Sequence, residues 1–141
     1  MDPNFLRAHM ILGLALEQKR TYPEAIAEFE RARRLSEDGP YYVACLGHTY
    51  GAAERTTEAR RCLEDLNEMA RRRFVGSELI ALVHLGLGEK EAALRLLEKG
   101  EEERGVEMMN IGVDRRWAPL HSDPRFVALL KRLNLPAVSA Q

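Results

Sequence analysis

The chain has 141 residues and a net charge of −1, and 75 of its residues are Leu, Ala, Glu, Arg or Lys, which are strong helix formers. Val, Ile and Thr number only 15 together and aromatics make up 6%, which argues against a β-sandwich or barrel; a 45% hydrophobic content argues against a disordered chain. The balanced charge gives no general pull toward nucleic acid or an anionic membrane, and no apolar run approaches the ~20 residues that span a bilayer.

Taken in chain order, the hydrophobic spacing predicts helices in pairs. The first pair runs from Phe5 to Gln18 and from Tyr22 to Leu35, with a break at Lys19–Thr21. Thr21 followed by Glu24 has the spacing of a capping box, and Pro23 suits a first turn. Gly39 and Pro40 mark the next break. The second pair runs from Pro40 to Ala53 and from Thr57 to Arg72, the third from Val75 to Leu87 and from Glu89 to Arg104, turning at Gly88. Beyond it, Met108–Ile111 reads as a short helix and Asp114–Leu120 as an extended turn. Ser122-Asp123-Pro124 opens a last helix near 123–134, which Pro136 stops.

The pairs repeat at 34 residues. Leu12 falls on Leu46 and Ile80, Gly13 on Gly47 and Ala81, and Leu16 on Tyr50 and His84. Ala25 falls on Ala59 and Ala93, Phe29 on Leu63 and Leu97, and Ala32 on Leu66 and Gly100. The small residues Gly13, Gly47 and Ala81 are expected to face Ala25, Ala59 and Ala93 and let the two helices of a unit approach closely. One pair cannot bury its whole apolar face, so neighbouring pairs must stack.

On these columns the chain resembles the tetratricopeptide repeat family. In that family a proline closes each unit, so the resemblance implies that Asp2-Pro3-Asn4 is the join to a preceding unit and the chain a fragment or the end of a longer array; the alternative is a natural start with Asp2 as helix cap. The expected fold is all-α: a right-handed superhelix of three helix–turn–helix repeats (about 6–39, 40–73 and 74–104, within 1–104) with a divergent helical cap over 105–141. Trp117, Pro119, Leu120 and Asp123-Pro124-Arg125-Phe126 resemble the tail of bacterial members, which implies a larger bacterial, cytoplasmic parent. In the family the first helices of successive units line a concave groove that binds a partner peptide or helix. Carried across, that groove comprises Arg7, Met10, Leu14, Glu17 and Gln18; Tyr41, Ala44 and His48; and Val75, Glu78, Leu82 and Leu85. Met10 and Leu14 stand where some members carry a lysine and an asparagine that clamp acidic chaperone tails. The expected groove is therefore mostly apolar and suits a hydrophobic or amphipathic segment.

The chemistry-bearing residues point away from catalysis. No phosphate loop, nucleophile elbow or paired metal-binding histidines occur. Cys45 and His48 form half a metal site, where zinc needs three or four converging ligands. Cys45 and Cys62 read as reduced core thiols. The expectation is a non-enzymatic protein–protein interaction module with no cofactor or metal, a protein or peptide partner, and no nucleic acid or membrane. The alternative is homo-oligomerisation, through Phe5, Leu6 and Met10, or a spacer role within a larger regulator.

Overall fold

The computed structural model describes residues 2–136. Among them all regular structure is helical: α1 (Pro3–Gln18), α2 (Tyr22–Leu35), α3 (Pro40–Ala52), α4 (Thr56–Ala70), α5 (Ser77–Gly86) and α6 (Lys90–Glu103). Two 3₁₀ helices (Val106–Asn110 and Arg115–Leu120) and α7 (Pro124–Arg132) follow. Helices α1–α2, α3–α4 and α5–α6 pack as pairs. The end of the expected cap, from 137 onward, lies outside the described residues.

The 34-residue period reaches into the backbone. Each pair turns through a residue in the left-handed region: Arg20 (φ 60°), Glu54 (φ 64°) and Gly88 (φ 79°). The next amide then donates back across the helix end, from Thr21 to the Leu16 carbonyl, Arg55 to Tyr50 and Glu89 to His84, at 2.9, 2.8 and 2.9 Å. This pairing satisfies carbonyls that a helix C-terminus leaves open. Only the third unit places a glycine where the conformation favours one.

The caps follow a different rule from the one expected. Thr21 makes no side-chain cap bond, so Thr21 and Glu24 do not close a capping box. Asp2, Asp114 and Asp123 do cap, each accepting the amide two residues on, at 2.9, 3.0 and 2.8 Å. Asp114 thereby starts a 3₁₀ helix over 115–120, where the sequence suggested an extended turn.

The repeat columns of the second helices are buried in every pair, whereas in the first-helix column Leu12 is exposed, and two glycines meet partners other than those expected. Ala25, Phe29, Ala32, Ala59, Leu66, Ala93 and Leu97 are wholly buried. Gly13, however, faces the Phe29 ring, and Gly47 faces Cys62 and Val83. The close approach expected within pairs is thus joined by one between pairs. A Cβ on Gly51 would lie 2.5 Å from the Gly86 carbonyl carbon, and one on Gly86 would lie 2.5 Å from the His48 oxygen. Helices α3 and α5 therefore touch backbone to backbone.

The carboxy-terminal segment is core rather than appendage. Met108, Ile111, Trp117, Leu120, Phe126, Leu129 and Leu130 are all buried. The 3₁₀ helices lie on α5, and α7 packs on α6.

Candidate functional site

The twelve groove residues divide by their cover. Met10, Glu17, Ala44, His48, Val75, Glu78, Leu82 and Leu85 are buried, Leu14 and Tyr41 half-buried, and Arg7 and Gln18 exposed. The segment that follows α6 accounts for much of this, since its 3₁₀ helices fold across the α5 side of the face. The face is open mainly beside α1.

A cleft remains between α1 and the covering segment. It consists of two adjoining hollows of about 260 and 310 Å³ that share Gln18, Arg115 and Arg116. Leu14, Tyr41 and Val113 supply apolar wall to one; Arg20, Tyr22, His48 and Ala52 line the other. Val113 is 77% exposed, and Val106 and Met109 on the same segment are exposed as well. A larger depression of about 440 Å³ beside Phe74 runs along α4–α6.

The floor of the cleft is a polar network that joins α1, α3 and the covering segment. Glu17 accepts a hydrogen bond from His48 Nδ1 at 2.9 Å and another from the Thr49 hydroxyl. Thr49 also reaches the Cys45 carbonyl at 2.9 Å. Arg116 enters from the covering segment with its side chain only 7% exposed. It grips Asp114 through Nε and a second nitrogen, at 3.0 and 2.7 Å, and donates to Cys45 Sγ at 3.1 Å and to the Tyr41 hydroxyl at 3.4 Å.

The charges in this network hold one another. Burial pushes the Glu17 carboxyl up, but the His48 and Thr49 hydrogen bonds and the Arg116 charge outweigh it and hold Glu17 below the usual carboxylate range. Asp114 is likewise lowered: burial opposes, and Arg116 wins. Burial raises the Cys45 thiol and the Tyr41 phenol, so both stay neutral. Glu78 is the exception. Burial raises its carboxyl, one oxygen accepts the Glu107 amide at 3.0 Å, the other is unpartnered, and Glu103 and Glu107 add like charge.

The pH dependence follows from these directions. Glu17 and Asp114 contribute stability that is complete above their unfolded values, near 4, and is lost as pH falls through their lowered folded values. Glu78 acts oppositely: its burial penalty is full above its raised value and lifts on acidification. Glu17→Gln is expected to cost about 1–3 kcal/mol at neutral pH by leaving buried donors poorly met. Thermal melts from pH 7 to pH 3, values chosen to bracket free carboxyls, should show the gap between native chain and variant closing as the pH drops. A gap that stays constant would mean that Glu17 carries no charge-linked stability.

Several network members were not legible as site residues. Arg116, Asp114 and Thr49 carry no repeat signal, because Asp114 and Arg116 lie beyond the periodic region and Thr49 aligns with Ala15 and Val83. Cys45 and His48 are close, as their spacing suggested, but Cys45 takes an arginine and His48 a carboxylate. Among the described residues no group of three or more His, Cys, Asp or Glu could hold a metal ion. The Glu17–His48–Thr49 set is also not a nucleophile relay, since the Thr49 hydroxyl addresses the carboxylate rather than the imidazole. No helix among the described residues is long and apolar enough to cross a membrane.

Comparison with known proteins places the first helix pair. Residues 1–40 match the family model of the tetratricopeptide repeat. No curated protein and no solved structure matches the chain.

Proposed function

We propose that this chain is a non-catalytic protein–protein interaction module whose binding site is the cleft between α1 and the covering segment. The tetratricopeptide repeat, matched over residues 1–40, is generally such a module. The observation that carries the reading is the placement of Leu14, Tyr41 and Val113 around one opening beside the exposed Gln18 and Arg115. Apolar wall with a few polar groups at its rim is what a peptide site needs. The partner is a hydrophobic or amphipathic segment laid along α1, with Arg7, Gln18 and Arg115 fixing its direction. Leu82, Leu85 and Val75 are buried and do not line this cleft. A bacterial, cytoplasmic parent protein remains part of this proposal.

The test uses Leu14→Glu combined with Val113→Glu. Both positions have solvent access, so circular dichroism and melting should stay near native. Peptides selected on the native chain from a displayed random library should bind the double variant at least about tenfold more weakly, a loss of about 1.4 kcal/mol or more. Equal binding to both chains would place the site elsewhere, with the depression beside Phe74 the next to examine.

A further inference from the structure

The junction between the second and third pairs holds an open hollow along α4 and α6. It has about 440 Å³, with Phe74, Ile80 and Leu96 as apolar wall and Asn67, Arg73 and Lys99 among its polar lining. Phe74 is 67% exposed, and Ile80 and Leu96 are half-buried. The repeat supplies an internal comparison. One period earlier Ile80 and Leu96 correspond to Leu46 and Cys62, each only 3% exposed. The hollow which those two line, with Arg33 and Tyr50, has about 230 Å³. Bonds between the pairs cross that earlier junction: Arg33 of α2 meets Asp65 of α4 at 3.0 Å, and Tyr50 of α3 donates to Glu30 of α2 at 2.7 Å. The corresponding positions one period on are Asn67 with Lys99, and His84 with Glu64. Neither couple is bonded; His84 instead meets Glu89 at 2.8 Å, which Arg60 also holds.

The exchange leaves positive charge in the hollow. Lys99 is exposed and meets no carboxylate among the described residues. Arg73 is exposed as well and donates to the Asp38 carbonyl at 3.1 Å and to Met69 Sδ, neither of them charged. Glu103, the carboxylate among the lining residues, is engaged by the Ser77 amide at 3.0 Å. The hollow is also preformed. Backbone contact at Gly51 and Gly86 fixes the spacing of α3 and α5, so a ligand need order little of the chain on entering. A recessed apolar wall suits an inserted side chain better than a flat membrane. The net charge of −1 gives no pull toward anionic lipid or nucleic acid.

We propose that the hollow beside Phe74 is a second binding site, which takes a peptide segment carrying a bulky apolar side chain close to an Asp or Glu. The apolar side chain packs on Phe74, Ile80 and Leu96, and the carboxylate meets Lys99 and Arg73. Where Arg33 and Asp65 close the earlier junction from within the chain, here the carboxylate comes from the partner. The site shares no lining residue with the cleft beside α1 and does not depend on it.

Asn67→Arg combined with Lys99→Asp tests this, because it installs at the open junction the pair that Arg33 and Asp65 form at the other. Both positions are exposed, so circular dichroism should be unchanged. A displayed random peptide library is panned on the native chain with this double variant in excess in solution, which removes peptides that bind elsewhere. Enriched peptides should place Asp or Glu within a few residues of a large apolar side chain. In fluorescence polarisation they should bind Lys99→Glu and, separately, Phe74→Ala at least about tenfold more weakly than the native chain, a factor within reach of one lost contact. The Leu14→Glu, Val113→Glu chain should bind them as tightly as the native one. The proposal is overturned if no peptide enriches, if the enriched peptides lack acidic residues, if Lys99→Glu binds them equally well, or if the Leu14→Glu, Val113→Glu chain loses them. Vesicles of phosphatidylcholine and phosphatidylserine in equal parts that bind the native chain and not Phe74→Ala would assign the face to a membrane surface and overturn it as well.

Discussion

Replacing Gly51 with alanine should destabilise this protein by about 3 kcal/mol or more, although alanine favours a helix over glycine by roughly 1 kcal/mol. The reason is local. The added Cβ meets the Gly86 carbonyl carbon at 2.5 Å and its oxygen at 2.7 Å, and these are backbone atoms that cannot rotate away. Helices α3 and α5 must separate, which loosens His48 and Val83 at the same contact. Gly86→Ala should behave alike, since its Cβ would strike the His48 backbone. Gly88→Ala serves as the control: nothing lies within 4 Å of its Cβ, so only the left-handed backbone is disfavoured, by about 1–2 kcal/mol. Urea denaturation of the three variants measures the difference. Equal losses for Gly51 and Gly88 would show that the interhelical contact yields easily.

The second large effect is expected at Phe126, which is fully buried in α7. Truncation to alanine should cost about 3–5 kcal/mol, as for other large aromatic side chains removed from a core. The ring fills the space between α7 and the third pair and lies beside His121, with ring centroids 5.6 Å apart. Trp117, the only tryptophan in the chain, is 4% exposed within the same segment and reports on the outcome. If α7 holds the segment in place, Trp117 emission should move to longer wavelength in Phe126→Ala before the helical signal melts. Coincident loss of both signals would show instead that segment and repeats unfold as one unit.

The repeat was legible because packing imposes it. Ala25, Ala59 and Ala93 are each fully buried, and such sites restrict side-chain size in every unit. The last helix was legible from Asp123, Pro124 and the apolar spacing of Phe126, Leu129 and Leu130. Caps were less so. Thr21 has the right spacing with Glu24, yet the turn places Arg20 in the left-handed region and no side-chain cap forms. Spacing records which residues share a face, not which partner a glycine meets, so Gly13 was matched to Ala25 although its neighbour is Phe29. The Arg116 contact was beyond reach because it joins positions 71 and 75 residues apart, at Cys45 and Tyr41. A buried arginine of this kind is specified by one tertiary arrangement and leaves no periodic trace.

The two junctions between pairs are unequal, and this sets an order of opening. Between the second and third pairs, α3 and α5 meet as backbone against backbone, and the final segment locks over α5. Between the first and second pairs, α2 packs on α3, Tyr50 donates to Glu30 and Arg33 to Asp65, and Glu17 reaches from α1 to His48 and Thr49, without a backbone contact of the Gly51–Gly86 kind. In an array held by neighbour contacts, the pair with the weaker junction separates at lower free energy. Amide hydrogens of α1 should therefore exchange through a partial opening that leaves α3, α5 and α6 protected. Such an opening would widen the cleft, because Leu14 and Gln18 of α1 form one of its walls.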